Sequence, residues 1–140
     1  MIVLDTNVIS EPLRPQPELA VVAWLDRQAR ETLYLTVTSL AELETGLALL
    51  PPGRRRSALE RGLSSLIAGY FGPRILAVTA DVAPVHAAIA AAAQRRGAAI
   101  SFADAQIAAI AKVHGFAVAT RDTAPFLAAG LDVIDPWQPA

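Results

Sequence analysis

Ile2-Val3-Leu4-Asp5-Thr6-Asn7 opens the chain with three apolar residues, two of them β-branched, that run straight into a carboxylate and two small polar groups. A short apolar run without alternation suits a strand buried on both faces, as in parallel sheets. In such sheets, functional groups gather beyond the carboxyl ends of the strands. Asp5 stands at such an end.

Further along, the same arrangement recurs. Leu33-Tyr34-Leu35-Thr36-Val37, Ile75–Val78, Phe116–Thr120 and Val133-Ile134 are rich in strand formers. Between them the apolar residues take helical spacing. From Glu18 the stripe is Val21, Val22, Leu25 and Ala29, which reads as a core-facing surface. Ser39 to Leu50 is helical and is stopped by Pro51-Pro52-Gly53. Arg54 to about Phe71 carries Leu59, Leu63, Leu66 and Ile67 on one side. An alanine-rich helix over Asp81–Arg96 ends at Gly97, and Phe102–His114 is closed by Gly115. A short helix covers Thr123–Ala129, while Pro12, Pro15 and Pro17 make Glu11–Pro17 a loop. Strands alternating with helices predict an α/β fold: three layers around a central, mainly parallel sheet of four to five strands, within a single domain over 1–140.

Composition narrows the chemistry. There is no cysteine among the 140 residues, which excludes disulfides, thiolate zinc sites and cysteine nucleophiles. Two histidines, His86 and His114, are too few for a histidine-rich metal cage and sit in apolar helices away from the acids. A hydrophobic fraction of 54% excludes disorder. The formal charge of −1 by itself argues against a nucleic-acid binder. Yet all the basic residues except Lys112 are arginine, including Arg54-Arg55-Arg56 and Arg95-Arg96, so neutralising a carboxylate cluster leaves a mildly basic remainder. The start carries no basic segment, and the most apolar stretch, Ile75–Ala93, is broken by Asp81, Pro84 and His86. A soluble, cytoplasmic chain with no membrane span is expected.

Four acids fall where an α/β sheet collects its functional groups. Asp5 ends the first strand, Glu42 lies in the first turn of the helix after the second, Asp104 opens the Phe102–His114 helix, and Asp122 follows the fourth strand. Carboxylates brought together repel unless a cation compensates. An all-oxygen set suits a hard ion such as Mg²⁺ or Mn²⁺, which can activate water for phosphodiester hydrolysis. Taken singly, each acid also fits helix capping. Ser39-x-x-Glu42 and Ser101-x-x-Asp104 match the capping box, and Asp5 and Asp122 suit N-cap positions. Glu44 and the remaining acids read as surface charge, and the Arg54-Arg55-Arg56 run as a solvated helix start. Arg121 is placed either to pair with Asp122 or to contact a phosphate. Few aromatics are expected at the surface, so RNA binding would lean on backbone charge and shape.

These residues carry a resemblance. The opening Met1-Ile2-Val3-Leu4-Asp5-Thr6-Asn7-Val8-Ile9-Ser10-Glu11 resembles that of PIN-domain proteins, specifically VapC-type toxins of the FitB-like branch. Thr38-Ser39-Leu40-Ala41-Glu42-Leu43, Ile100 to Ala109 around Asp104, and Ala119-Thr120-Arg121-Asp122 resemble the three later acidic motifs, in order. Val133-Ile134-Asp135-Pro136-Trp137 is similar to the family's ending. The resemblance implies a PIN-like fold and a Mg²⁺- or Mn²⁺-dependent endoribonuclease, the toxin of a bacterial toxin–antitoxin pair. It implies Asp5 and Asp104 as direct metal ligands, with Glu42 and Asp122 completing the site or acting through water. Thr6, Asn7 and Thr120 match small polar positions of the motifs, open to a water-orienting or a plain turn role. Implied partners are RNA and a small antitoxin with a DNA-binding end, in a homodimer or a hetero-oligomer with the antitoxin. One departure stands out: relatives often show asparagine where Asp122 stands and an acid where Pro125 stands.

Two other readings remain at this point. A Mg²⁺-dependent phosphoacceptor domain would use Asp81 after the third strand and Lys112. A non-catalytic module of the same fold would serve only to hold an antitoxin in operon regulation.

Overall fold

The computed structural model describes residues 1–138. Its five strands are β1 (Ile2–Leu4), β2 (Leu33–Thr36), β3 (Ile75–Leu76), β4 (Ala117–Ala119) and β5 (Val133–Ile134). They form one sheet in the order β3-β2-β1-β4-β5, and every neighbouring pair is parallel. Parallel neighbours need crossovers, and helices supply them: α1 (Thr6–Ser10), α2 (Leu19–Arg27), α3 (Val37–Ala48), α4 (Arg54–Leu66), α5 (Val82–Arg95), α6 (Phe102–His114) and α7 (Thr123–Ala128). The expected three-layer α/β architecture is present.

Strand periodicity divides the core in two. Val3 and Val118 face one side, where they pack with Ile107, Ile110 and Ala111 of α6, Ile89 of α5 and Phe126 of α7. Leu4, Leu33, Leu35 and Ala119 face the other, against Val8, Ile9, Val21, Trp24 and Phe71. Successive residues of a strand point to opposite faces, so a three-residue strand serves both layers only when all its residues are apolar. That requirement explains the unbroken runs of β1 and β4. Of the stripe expected in α2, Val21 is buried and Val22 and Leu25 are half-buried, with Trp24 buried beside them, whereas Ala29 lies exposed beyond the end of the helix.

Several elements differ from expectation. β3 is two residues long rather than four, and Ala77 and Val78 are exposed beyond it. Helix α4 gives way after Leu66 to a wide π-helical turn over Ile67–Phe71, which ends with Phe71 buried. Helix α3 begins at Val37, not Ser39, because Thr36 is its N-cap: the Thr36 hydroxyl accepts from the Ser39 amide at 3.0 Å. Ser39-x-x-Glu42 is therefore not a capping box. Glu11 overturns the reading of the minor acids as surface charge, since it is only 4% exposed. Its carboxylate accepts from Arg14 Nη1 at 3.0 and 3.2 Å and from the Glu18 amide at 3.1 Å. The proline-rich segment is thus tied from inside.

Candidate active site

Because all strands run the same way, their carboxyl ends share one edge, and the helix starts that follow them crowd that edge. Asp5 leaves β1 there, 5% exposed. Its Oδ1 accepts from the Thr6 amide at 2.8 Å, and its Oδ2 accepts from Thr120 Oγ1, at the end of β4, also at 2.8 Å. Next door, Thr6 Oγ1 donates to Glu42 Oε1 at 2.7 Å. Asp104 sits in the first turn of α6, where Ser101 Oγ accepts from the Asp104 amide at 3.1 Å. Asp122 precedes α7 and makes no side-chain cap. Its amide donates to Thr120 Oγ1 at 3.1 Å.

Capping thus explains part of the arrangement and no more. Asp5 caps α1 as expected, yet its second oxygen is held by a residue from a distant strand. At α6 the cap is Ser101, and the Asp104 carboxylate is left available. Glu42 lies inside α3, bound by Thr6 of another element.

The carboxylates feel one another. Burial pushes Asp5 up to about 6; the bonds from Thr120 and Thr6 oppose that rise, and the charges of Asp104 and Glu42 add to it. Burial likewise raises Asp104, with Ser101 opposing and Asp122 and Glu42 adding. Every one of the four acids enters these repulsions, so they belong to one electrostatic neighbourhood. Among the described residues no three such side chains are drawn together tightly enough to enclose an ion as they stand. Glu42 and Asp122 are exposed and Asp104 is half-buried, and of these three only Glu42 is held, by Thr6.

Sequence reasoning undervalued the small polar residues. Thr120, fully buried, is the hub of the site: it donates to Asp5 and accepts from the Asp122 amide and, at 3.5 Å, from Asn7 Nδ2. Asn7 Oδ1 in turn accepts from the Arg121 amide at 3.4 Å. A turn role for Thr6 and Thr120 therefore understates them. Thr38 Oγ1 donates to Gln106 Oε1 at 2.6 Å and ties α3, which bears Glu42, to α6, which bears Asp104. Only the adjacency of Thr38 and Gln106 to the acidic motifs hinted at that link.

Arg121 does not pair with Asp122, one of its two expected roles. Its guanidinium lies over the Trp137 ring, 5.2 Å from the centroid, and pairs with no acid among the described residues. Lys112 Nζ donates to the Ala129 carbonyl at 2.8 Å, and Asp81 is exposed at the start of α5, bonded to Thr79. The phosphoacceptor reading thereby loses its lysine. Beside Glu42 a groove of about 570 Å³ runs between the α1–α2 connection, α3 and α4, floored by Leu13, Leu43, Leu47, Leu59 and Leu63, with Arg14 and Arg55 among its lining residues.

The family model described as the PIN domain matches residues 2–130. The chain belongs to the PIN-domain family. This PIN domain is 49% identical over 140 residues to the VapC ribonuclease Y4jK of Sinorhizobium fredii, covering 100% of both chains. It is 49% identical over 137 residues to the toxin FitB of Neisseria gonorrhoeae, covering 98% of this chain and 99% of that one. Among solved structures, FitAcB from Neisseria gonorrhoeae matches the PIN domain with a TM-score of 0.92 at 48% identity, covering 99% of each chain. The structure of FitAB bound to an IR36 DNA fragment matches with a TM-score of 0.94 at 46% identity, covering 100% of this chain and 98% of that one. No helix among the described residues is long and apolar enough to cross a membrane.

Proposed function

We propose that the protein is an endoribonuclease that depends on Mg²⁺ or Mn²⁺, the toxin of a toxin–antitoxin pair acting in the cytoplasm. The observation that carries this reading is the gathering of Asp5, Glu42, Asp104 and Asp122 at the carboxyl edge of the sheet, where the charges of Asp104 and Glu42 act on Asp5 and those of Asp122 and Glu42 act on Asp104. Nothing in the fold requires acids from four elements to share one edge. Their shared burden makes sense where a cation offsets it. The names of the relatives at 49% identity, a VapC ribonuclease and the toxin FitB, point the same way.

The donor set fits such an ion. It is all oxygen, and its most buried member is held by two hydrogen bonds that favour the ionised form. Asp5 and Asp104 would be the direct ligands, with Glu42 and Asp122 completing the site. When bound, the ion supplies positive charge for activating water and for stabilising the phosphodiester transition state. The chain's own residues do the rest. Thr120 holds Asp5 in one rotamer, Thr6 restrains Glu42, and the Thr38–Gln106 bond fixes the spacing of α3 and α6. Arg121, stacked on Trp137 at the rim, is free to contact a backbone phosphate.

The partner is a small antitoxin, as in the FitAB and VapBC complexes among the structural matches. Its segment would lie in the leucine-floored groove, with the end nearest Glu42 covering the acids. The experiment is direct. The purified protein should cleave single-stranded RNA with Mg²⁺ or Mn²⁺ and stop with EDTA, and D5N or D104N should abolish cleavage while remaining folded. Either variant cutting at the wild-type rate would sink the assignment.

A further inference from the structure

Arg121 is held at both ends. Its amide donates to Asn7 Oδ1 at 3.4 Å, and its guanidinium lies over the Trp137 ring, 5.2 Å from the centroid. The ring is itself fixed. Trp137 is half-buried against the core layer of Leu4, Val8 and Trp24, and its amide donates to Asp135 Oδ1 at 2.9 Å. The Gln138 amide closes the turn on the Asp135 carbonyl at 3.1 Å. The Asp135-Pro136-Trp137 ending thus builds a shelf for one side chain. A run of contacts ties that shelf to the acids. Thr120 Oγ1 donates to Asp5, the Thr120 amide donates to the Ile134 carbonyl at 2.9 Å, and Asp135 follows Ile134. Because β1 and β5 flank β4, Asp5 and Asp135 leave the sheet at one edge, two strand spacings or about 10 Å apart. Carboxylates that repel one another attract any nearby cation, yet Arg121 pairs with no acid among the described residues. The ring attracts the charge without occupying the N–H donors as a carboxylate would.

We propose that Trp137, fixed by Asp135, is a positioning residue that holds Arg121 for a backbone phosphate of the RNA, one that flanks the cleaved bond on the β5 side of the acids. The inference rests on the nuclease reading and deepens it, by assigning the chain's last motif to substrate grip. The guanidinium presents a planar fork of donors that matches a phosphate, and such a contact positions a strand without reading its sequence. The acids repel the backbone that they must approach. A cation held to one side of them draws the strand in without taking the place of a metal between them.

The test uses the full chain and a labelled single-stranded RNA, with binding followed by fluorescence anisotropy in EDTA over a series of salt concentrations. R121Q should flatten the slope of log affinity against log salt by about 0.7, the loss of one phosphate contact on a single strand. W137L should weaken binding roughly 2- to 5-fold, the range of an exposed cation–π contact, while W137F, still aromatic, should stay close to wild type. Once Arg121 is glutamine, W137L should add nothing. With Mg²⁺ present, R121Q should raise KM more than it lowers kcat, as a contact away from the reacting bond does. An equal cost of W137L in both backgrounds would make the tryptophan structural only and overturn the proposal. A wild-type salt slope and KM in R121Q would overturn it too, whatever W137L does to the fold, and leave the nuclease reading standing. So would R121Q that binds RNA normally but loses an antitoxin peptide, since the arginine would then serve the partner. Wild-type protein that neither binds nor cuts RNA would remove the nuclease reading itself, and this inference with it.

Discussion

Thr120 Oγ1 donates to Asp5 Oδ2 at 2.8 Å across 115 residues of chain, and the same oxygen accepts from the Asp122 amide. One buried hydroxyl therefore orients the central carboxylate and the backbone of another acid. Thr120→Val keeps the shape and removes both bonds. Because the Thr120 bond opposes the rise of Asp5, its loss should move Asp5 further above about 6. The acid limb of the cleavage profile should then shift to higher pH, with activity at pH 7 falling roughly twofold or more. Thr120→Ser should restore both. A Thr120→Val profile that overlays wild type would show that the hydroxyl only closes a turn.

Asp5 makes the metal-free protein pay for ionisation. Its native value lies above the ordinary 3.8, so the folded state holds the proton more tightly than the unfolded chain. This contribution to stability is complete below about pH 4 and is lost as pH rises through about 6. A rise from 3.8 to about 6 corresponds to roughly 3 kcal/mol at neutral pH, an upper figure. Asp5→Asn should therefore inactivate the protein and yet raise its Tm at pH 7 in EDTA. At pH 4 the difference should vanish. Calorimetry of both proteins at the two pH values checks it; a lower Tm for Asp5→Asn at pH 7 would contradict the burial argument.

The same rise sets how metal binding should depend on acidity. Ligand carboxylates must be ionised, and both Asp5 and Asp104 are pushed up by burial. Mn²⁺ affinity followed by electron paramagnetic resonance should stay level above about pH 7 and weaken at least about tenfold per pH unit below about 6. A level response down to pH 5 would mean that the raised aspartates are not ligands.

Much of this was legible in the sequence, for identifiable reasons. Parallel strands buried on both faces must be continuously apolar, and that pattern marked β1, β2 and β4. Asp5, Asp104 and Asp122 were legible because each sits just past a strand or at a helix start, whereas Glu42 lies beyond the first turn of α3, where the capping pattern from Ser39 had set it. What the sequence could not show was which hydroxyl bonds to which acid. Thr6, Thr36, Ser39 and Thr120 are chemically near-equivalent, and only packing separates the cap Thr36 from the unpartnered Ser39 and the hub Thr120. Glu11 escaped notice because a carboxylate among prolines looks solvated; Arg14 and the Glu18 amide, at unremarkable spacings, make its burial tolerable.

Thr36 and Ser39 offer a paired test of that distinction. The Thr36 hydroxyl accepts the Ser39 amide and caps α3, whereas Ser39 Oγ is buried without a partner among the described residues. Thr36→Ala should cost about 1 kcal/mol, the usual effect of losing a cap. Ser39→Ala removes an unsatisfied hydroxyl and should be neutral or stabilising. Urea denaturation of the two variants decides it. Equal losses would mean that Ser39 has a hydrogen-bond partner of its own, such as water.

Glu11 and Arg14 should show an asymmetry that follows from their unequal burial. Glu11 is almost enclosed, while the Arg14 side chain is 60% exposed. Removing Arg14 leaves a buried carboxylate with only the Glu18 amide as donor, so Arg14→Ala should cost about 1–3 kcal/mol. Once Glu11 is already alanine, the arginine has nothing to neutralise and its guanidinium is solvated. In that background Arg14→Ala should cost almost nothing, which gives a coupling of about 1–3 kcal/mol in a double-mutant cycle. The consequence extends to the groove, because Leu13, Arg14 and Pro15 line it beside Glu42. Glu11→Ala should therefore also loosen binding of any segment seated there, measurable with an antitoxin peptide. An Arg14→Ala cost that is the same in both backgrounds would show that the pair is an ordinary surface contact.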